Sequence, residues 1–412
     1  MSRWLPRSTI LLLIIAGSFM LTSLLWMLSL PSIRYKPRKI SSQVKPWPAG
    51  ALNVDASAER PCRPQRKVAF LKTHKTGSST VSSIFQRYGF LNNLTFLVPD
   101  QTHFINYRDK FSANRIQPNS SSVAREKWRA DIGFDLLTNH VRYNRSELDK
   151  VFHGAKYVTI MREPGAQFES AFYYFEIFRS MPRSNEPLKL FLSEPRKYFD
   201  MVMQTRQYFK DSMHNQHLFD FGMSHDETDD EIAVRRKIIE LDVELDLVMI
   251  TEYFDESLLL LRKLLCWEMS DILYLPKATR SPDYRTVLDD DLRAKILSWN
   301  RGDVMLYQHF NRSFWRKVKE YGPTFPSDLA VFRQKLKATV ELCCNTSRPN
   351  KSDRRVVSLS LKDNASEWCH HLNRRDVEFT DLIRRTMMGL GMPTYKHIKR
   401  QKGKEHNSHG KQ

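Results

Sequence analysis

The chain has 412 residues, of which 41% are hydrophobic, and a formal net charge of +19. This length and composition are those of a globular protein with one large domain or two smaller ones, and they allow a sizeable core. The positive charge predicts anionic partners such as a nucleotide, a sulfated or phosphorylated ligand, or a membrane surface. Nucleic acid is not expected, because the sequence shows no zinc-finger spacing, RNP motif or basic heptad.

The first predicted element is a membrane anchor. Ser8–Leu30 is a continuous, uncharged and mostly apolar run, which is long enough to span a bilayer as one helix. No small-x-small cleavage site follows it, so we predict an uncleaved signal anchor preceded by a cytoplasmic tail, residues 1–7. The count of basic residues does not favour this orientation, since Arg3 and Arg7 precede the span but four lysines and arginines follow it closely.

Seven N-x-S/T sequons outweigh that count, because such sites carry meaning only in the lumen. They begin at Asn93, Asn119, Asn144, Asn311, Asn345, Asn350 and Asn364. We therefore predict a single-pass type II membrane protein with glycosylation at these asparagines. Residues 31–65 are rich in Pro, Ser, Ala and Lys, and are predicted to be a lumenal stem between the membrane and the folded domain.

The folded domain, predicted for residues 66–394, opens with a strand, a turn and a helix. Val68–Leu71 is an apolar run typical of a buried parallel strand, and apolar residues recur at helical spacing after Ser79. The turn between them, KTHKTGSST, is basic and polar. A strand, a tight turn and a helix in this order point backbone N–H groups and a helix N-terminus at a phosphate. The turn lacks the Lys-Ser/Thr pair of a Walker A motif, so we predict a metal-independent anion site. The alternative is an ordinary turn in which Lys75 is simply solvated.

The remaining elements alternate between strands and helices as far as the middle of the chain. The predicted strands are Leu94–Val98, Phe134–Thr138, Lys156–Met161 and Leu247–Thr251. The predicted helices are one that ends at Phe178, then Glu231–Leu241, Phe254–Trp267, Leu292–Trp299, Asp303–Phe310, Ser313–Tyr321 and Ser327–Leu342. This order predicts a three-layer α/β fold with a central parallel sheet and a helical C-terminal part. Residues 100–127 are predicted to be a surface insertion, and residues 395–412 a basic disordered tail.

The five cysteines do not form a C-x-x-C pair, so a zinc site is not expected. An odd number of cysteines in a chain of secretory type predicts one or two disulfides and at least one free thiol. Cys266 lies on an apolar helix face and is predicted to be buried or disulfide-bonded, not catalytic.

A second unit with phosphate-binding character follows the strand Lys156–Met161. Arg162 ends that strand, and Ser170 lies about two turns into the next helix. Both are expected at the carboxyl edge of the sheet, where ligands bind, and an arginine fork with a hydroxyl is suited to a phosphate. The alternative is that Arg162 caps its own loop and Ser170 is merely packed.

Together the two units resemble the nucleotide-binding segments of sulfotransferases, which use 3′-phosphoadenosine 5′-phosphosulfate (PAPS). Longer stretches resemble the galactose 3-O-sulfotransferase family, namely FLKTHKTGSST, EYFDESLLLLRKLLCWE and NRSFWRKV, at Phe70–Thr80, Glu252–Glu268 and Asn311–Val318. The resemblance implies that the 5′-phosphosulfate is held by Lys75, Thr76, Gly77, Ser78, Ser79 and Thr80. It also implies that Arg162 and Ser170 hold the 3′-phosphate.

The resemblance implies a Golgi enzyme that transfers sulfate from PAPS, without a metal, to the 3-hydroxyl of a terminal β-galactose. The acceptor is a glycolipid of the galactosylceramide type or a glycoprotein glycan. Lys75 would stabilise the leaving oxygen, and a histidine would take the hydroxyl proton. We favour His140 as the base, because it follows the strand Phe134–Thr138, and His74 would orient the sulfuryl group or the acceptor. The alternatives are sulfation of another glycan, such as a glycosaminoglycan, and a glycan-binding protein with a degenerate nucleotide fold.

Overall fold

The computed structural model describes residues 62–106, 108–117, 133–205, 210–276, 279–280, 288–345, 348–349 and 356–396. The predicted cytoplasmic tail, the membrane anchor Ser8–Leu30 and the stem up to residue 61 lie outside these residues. Among the helices that are described, none is long and apolar enough to cross a membrane.

The described strands are short, and those that form the central sheet are buried. In chain order they are β1 (Val68–Leu71), β2 (Phe96–Leu97), β3 (Ile116–Gln117), β4 (Leu136–Leu137), β5 (Lys156–Met161), β6 (Leu247–Ile250), β7 (Thr279–Arg280), β8 (Arg348–Pro349), β9 (Val356–Ser358) and β10 (Thr394–Tyr395). Five of them form a sheet in the order β2-β4-β1-β5-β6, and every pair in it is parallel. Val68 of β1 lies opposite Leu136 and Lys156, so the carboxyl ends of these strands meet at one edge.

Helices connect and flank the sheet strands. They are α1 (Ser78–Leu91), α2 (Arg145–Asp149), α3 (Pro164–Tyr174), α4 (Pro187–Ser193), α5 (Pro195–Met203), α6 (Gln216–Asp220), α7 (His225–Thr228), α8 (Glu231–Glu244), α9 (Phe254–Leu265), α10 (Asp290–Trp299), α11 (Arg301–Tyr321), α12 (Phe325–Cys343), α13 (Glu367–Asn373) and α14 (Asp376–Gly389). The prediction of an α/β fold with a central parallel sheet is confirmed. Helix α11 is continuous where two helices were predicted, and seven of the described helices were not predicted at all, namely α2, α4, α5, α6, α7, α13 and α14.

The folded part extends past the predicted bounds at both ends. Cys62 is joined to Cys266 by a disulfide, and the Gln65 backbone N–H donates to the carbonyl of Leu265 at 2.8 Å, so the domain begins before residue 66. At the other end Tyr395 is buried and pairs antiparallel with Ile116. The predicted tail therefore cannot begin at residue 395, because its first residue belongs to a strand.

Part of the predicted surface insertion also packs into the domain. Phe111 is fully buried, and its ring centroid lies 5.3 Å from that of Tyr395. Ile105 is fully buried as well. The burial of Ile105 and Phe111 could not be predicted from the sequence, because residues 100–127 are mostly polar and single apolar residues show no periodicity.

The prediction of one or two disulfides and at least one free thiol is confirmed. Cys62 pairs with Cys266, and Cys343 pairs with Cys369. Cys344 is free and buried. The prediction that Cys266 is a structural cysteine is confirmed.

The sequon asparagines differ in their surroundings. Asn93, Asn345 and Asn364 are exposed, whereas Asn144 donates its side-chain amide to the carbonyl of Phe111 at 3.1 Å. Asn311 is half-buried within α11, and Asn119 and Asn350 lie outside the described residues. Glycosylation at these seven positions stays a prediction.

Candidate active site

The turn between β1 and α1 has an unusual backbone. Lys75 and Gly77 have φ angles of 61° and 73°, in the left-handed region where a side chain is strained. Helix α1 begins directly afterwards at Ser78, and the first N–H groups of a helix have no partner within it. Gly77 and Ser79 are exposed at this point. The turn therefore presents a helix N-terminus to solvent, as an anion site requires.

Two of the hydroxyl groups predicted to bind the donor are used inside the turn. The Ser78 hydroxyl donates to the carbonyl of Thr73 at 2.6 Å, and the hydroxyl oxygens of Thr73 and Thr76 are 2.9 Å apart. Thr251, directly after β6, donates its hydroxyl to the carbonyl of Thr76 at 2.7 Å. Thr76 and Ser78 thus fix the shape of the turn through their side chains. The Thr80 N–H donates to the carbonyl of Gly77 at 3.0 Å.

Lys75, in the turn between β1 and α1, contacts residues of the second predicted phosphate-binding unit, which consists of β5, Arg162 and α3. Its Nζ is 3.3 Å from the ring centroid of Tyr174, a residue at the end of α3 that is 65% exposed. Arg162, which follows β5, donates from Nη1 to the carbonyl of Lys75 at 3.3 Å. The structure therefore brings the two predicted cationic residues together. Ser170 lies further along α3 and is buried.

Helix α3 is fixed at its start by features of the sequence. Pro164 occupies its first turn, and the Glu163 carboxylate accepts from the backbone N–H of Ala166 at 2.8 Å. The Gln167 side chain donates to the carbonyl of His74 at 3.1 Å. This helix therefore packs directly on the turn that precedes α1.

The two predicted catalytic histidines are in contact. The ring centroids of His74 and His140 are 4.2 Å apart, and the rings are nearly parallel at 16°. The Nδ1 of His140 lies 2.9 Å from the carbonyl oxygen of Lys72. A carbonyl oxygen accepts hydrogen bonds, so Nδ1 of His140 carries the proton and Nε2 is the basic nitrogen.

Burial lowers the pKa of His140 well below its ordinary value of 6.5, and the electrostatic effects of His74 and Lys72 lower it further. The hydrogen bond to the Lys72 carbonyl acts in the opposite direction but does not outweigh them. The imidazole is therefore neutral at pH 7, in the form that can accept a proton.

Asp220 is one of two residues near this site that the sequence did not indicate. Its carboxylate lies 2.9 Å from Nδ1 of His74 and also accepts the backbone N–H of His74 at 3.0 Å. Asp220 belongs to the stretch HNQHLFDF, in which four polar residues are followed by two apolar ones, then the aspartate and a phenylalanine. That density of histidine, amide and carboxylate groups beside apolar residues was the available signal.

A second residue missed by sequence reasoning is Asp376, at the start of α14. Its carboxylate pairs with the ammonium of Lys72, and the two side chains are 13% and 7% exposed. The pair joins the C-terminal helices to the turn after β1. No motif marks Asp376, because its partner lies 304 residues away in the sequence.

Comparison with known proteins identifies a family that this chain matches over most of its length. The family model described as galactose-3-O-sulfotransferase matches residues 5–360. The chain is 34% identical to the galactosylceramide sulfotransferase of Mus musculus over 279 residues, which cover 67% of this chain and 63% of that protein. It is 36% identical to galactose-3-O-sulfotransferase 3 of Bos taurus, with 66% and 62% covered, and 32% identical to galactose-3-O-sulfotransferase 2 of Sus scrofa, with 75% and 76% covered. The matched part thus spans less than two thirds of the first two relatives.

Proposed function

Because the chain belongs to the galactose-3-O-sulfotransferase family, we propose that it transfers sulfate from PAPS to the 3-hydroxyl of a terminal β-galactose. The acceptor is a glycolipid of the galactosylceramide type or a glycoprotein glycan. The observation that carries the proposal is the convergence of Lys75, Arg162 and a neutral His140 on one edge of the sheet. The names of the relatives support galactose as the acceptor sugar.

The residues of the turn after β1 suit the 5′-phosphosulfate of the donor. The N–H groups at the start of α1 lie at an exposed part of the turn, next to Gly77 and Ser79, and Lys75 adds a positive charge. Thr76 and Ser78 contribute through the backbone, since their hydroxyls are used within the turn. Thr80 follows in the first turn of the helix.

Arg162 and Ser170 suit the 3′-phosphate. A guanidinium fork binds phosphate through two parallel hydrogen bonds, and a serine hydroxyl adds a neutral donor. Arg162 also contacts the backbone of Lys75, so a donor held by both units bridges two adjacent strands. This placement agrees with the rule that ligands bind at the carboxyl edge of an α/β sheet.

The reaction forms one bond and breaks one. The galactose hydroxyl oxygen attacks the sulfur, and the bond from sulfur to the bridging phosphate oxygen breaks, so that adenosine 3′,5′-bisphosphate leaves. His140 accepts the hydroxyl proton at Nε2. Lys75 and the helix N–H groups stabilise the negative charge that grows on the bridging oxygen, as preorganised electrostatics. These residues supply both functions without a metal ion.

We also propose that the protein is a Golgi type II membrane protein, anchored by Ser8–Leu30. The apolar run in the sequence and the sequons that follow it support this topology. An anchor of this kind would keep the site close to glycolipids and to membrane-bound glycoproteins.

The test is sulfate transfer by the purified full chain. It would be incubated with ³⁵S-labelled PAPS and a panel of galactosylated lipids, galactose-terminated oligosaccharides and glycosaminoglycans, and the position of the sulfate would be determined on the product. We expect label at the 3-hydroxyl of terminal galactose. Label on a glycosaminoglycan alone, or no label on any acceptor, would contradict the proposal. Lys75→Ala should be inactive, whereas Lys197→Ala, an exposed lysine on α5, should retain full activity.

A further inference from the structure

A buried carboxylate and a histidine lie directly behind the proposed base. Asp220 contacts His74 twice, through Nδ1 of the ring and through the backbone N–H. Both side chains are 8% exposed. His74 in turn stacks on His140 at 4.2 Å. These contacts form a continuous series from a carboxylate to the imidazole that would accept the proton.

Asp220 is itself held rigidly by its short helix and by the start of α11. The side chain of Gln216 donates to the Asp220 carboxylate at 2.8 Å. The Asp303 carboxylate accepts the backbone N–H groups of His217 and Leu218 at 2.9 and 3.0 Å, at the beginning of α6. Because Asp303 fixes the start of the helix and Gln216 contacts the Asp220 carboxylate, the group that faces His74 has a defined position.

His140 is confined on three sides. Its ring stacks on that of His74 and also on that of Phe104, whose centroid lies 5.2 Å away at an interplanar angle of 27°. The Lys72 carbonyl fixes Nδ1. The charged and titratable groups that surround it are Lys72, which is paired with Asp376, and His74, which is paired with Asp220.

We propose that Asp220 and His74 form a positioning pair for His140, which aims its Nε2 at the acceptor hydroxyl and keeps that nitrogen free of a proton. The inference rests on the proposed function, in which His140 is the base. Asp220 acts through His74, and His74 acts through its stacked ring, so neither needs to contact the acceptor. A base that must be neutral benefits from such a neighbour, because the electrostatic effect of His74 opposes protonation of His140.

The first test measures His140 without using activity. Deuterium exchange at the imidazole C2 position, followed by mass spectrometry across a pH series, gives the titration of each histidine in the full chain. His74→Phe keeps an aromatic ring at this position but removes the electrostatic effect of the imidazole. The pKa of His140 should therefore rise toward 6.5. His309→Phe is the matched control, because His309 pairs with Asp242 on the outer helices, at 3.0 Å. It should leave the titration of His140 unchanged.

The second test is kinetic and uses a variant of nearly the same shape. Asp220→Asn should lower kcat about 10- to 100-fold, the loss expected when a reacting group is misplaced by a fraction of an ångström to one ångström. KM for PAPS and for the acceptor should change less than threefold, because Asp220 contacts neither. In His74→Phe the acidic limb of kcat/KM should move to higher pH, together with the titration of His140.

The outcomes separate this inference from the proposed function. If the titration of His140 moves in His74→Phe but no acceptor is sulfated, the electrostatic effect of His74 on His140 stands, but the proposed function fails and His140 loses its role as a base. If sulfate is transferred but that titration does not move, the inference fails. It also fails if Asp220→Asn lowers only the melting temperature and leaves kcat unchanged. If His74→Phe does not fold, the kcat of Asp220→Asn alone decides whether the inference holds.

Discussion

The ion pair between Lys72 and Asp376 carries the most quantitative prediction for stability. Both side chains lie below the surface, with exposed fractions of 7% and 13%. Removal of one partner from a buried pair leaves the other charge without compensation, which costs about 3–5 kcal/mol. Asp376 also stands in the first turn of α14, where a negative charge adds about 0.3–1 kcal/mol. We therefore expect Asp376→Ala to lower the free energy of unfolding by about 3–6 kcal/mol.

The control lies on the same helix. Asp381 pairs with Arg384 at 2.8 Å but is 46% exposed, and Arg384 also donates to the backbone carbonyl of Pro99. Loss of an exposed pair costs about 0–1 kcal/mol, so Asp381→Ala should be almost neutral.

Urea unfolding of the full chain in detergent, followed by tryptophan fluorescence, measures both variants. If the two variants lower the free energy of unfolding by amounts that differ by less than about 1 kcal/mol, the reasoning is refuted. The carbonyl of Lys72 orients His140, so Asp376→Ala should also lower kcat of the folded protein.

Three further predictions concern the site and the fold. Because His140 gains a proton only below its lowered pKa, kcat/KM should stay level as the pH falls through 6.5 and decline only at lower pH; a half-point at or above 6.5 would contradict this. Arg162→Lys should weaken binding of adenosine 3′,5′-bisphosphate about tenfold or more in calorimetry, because lysine cannot form the bidentate fork; an unchanged Kd argues against the assignment. Cys62→Ala should lower the free energy of unfolding by about 2–5 kcal/mol through loss of the bond to Cys266. Cys344→Ala removes a free thiol and should cost less; equal costs would count against a structural disulfide.

The sheet and its first turn were predictable because their signals are local. Val68–Leu71 and Lys156–Met161 are short apolar runs, and both appear as strands with the predicted bounds. Lys75 and Arg162 follow those strands, and parallel strands bring their carboxyl ends to one edge. The contact between the two residues therefore follows from the order of elements alone.

The support behind the site was not predictable in the same way. Asp220 reaches His74 across 146 residues, and Asp376 reaches Lys72 across 304. A single carboxylate has no periodicity, and its partner is decided by tertiary packing. The helix Asp376–Gly389 was also missed, although Glu378 and Phe379 give it an amphipathic start. Its role became clear only from its contact with Lys72.

The measurement that tests the central claim most directly is transfer of ³⁵S-labelled sulfate from PAPS to a terminal galactoside by the wild-type full chain and by Lys75→Ala. We predict a 3-O-sulfated galactose product with the wild type. With the variant we predict a loss of kcat of about 100-fold or more while the melting temperature is kept. Unchanged turnover in Lys75→Ala would contradict the mechanism, and a wild-type protein that sulfates no galactoside would contradict the function.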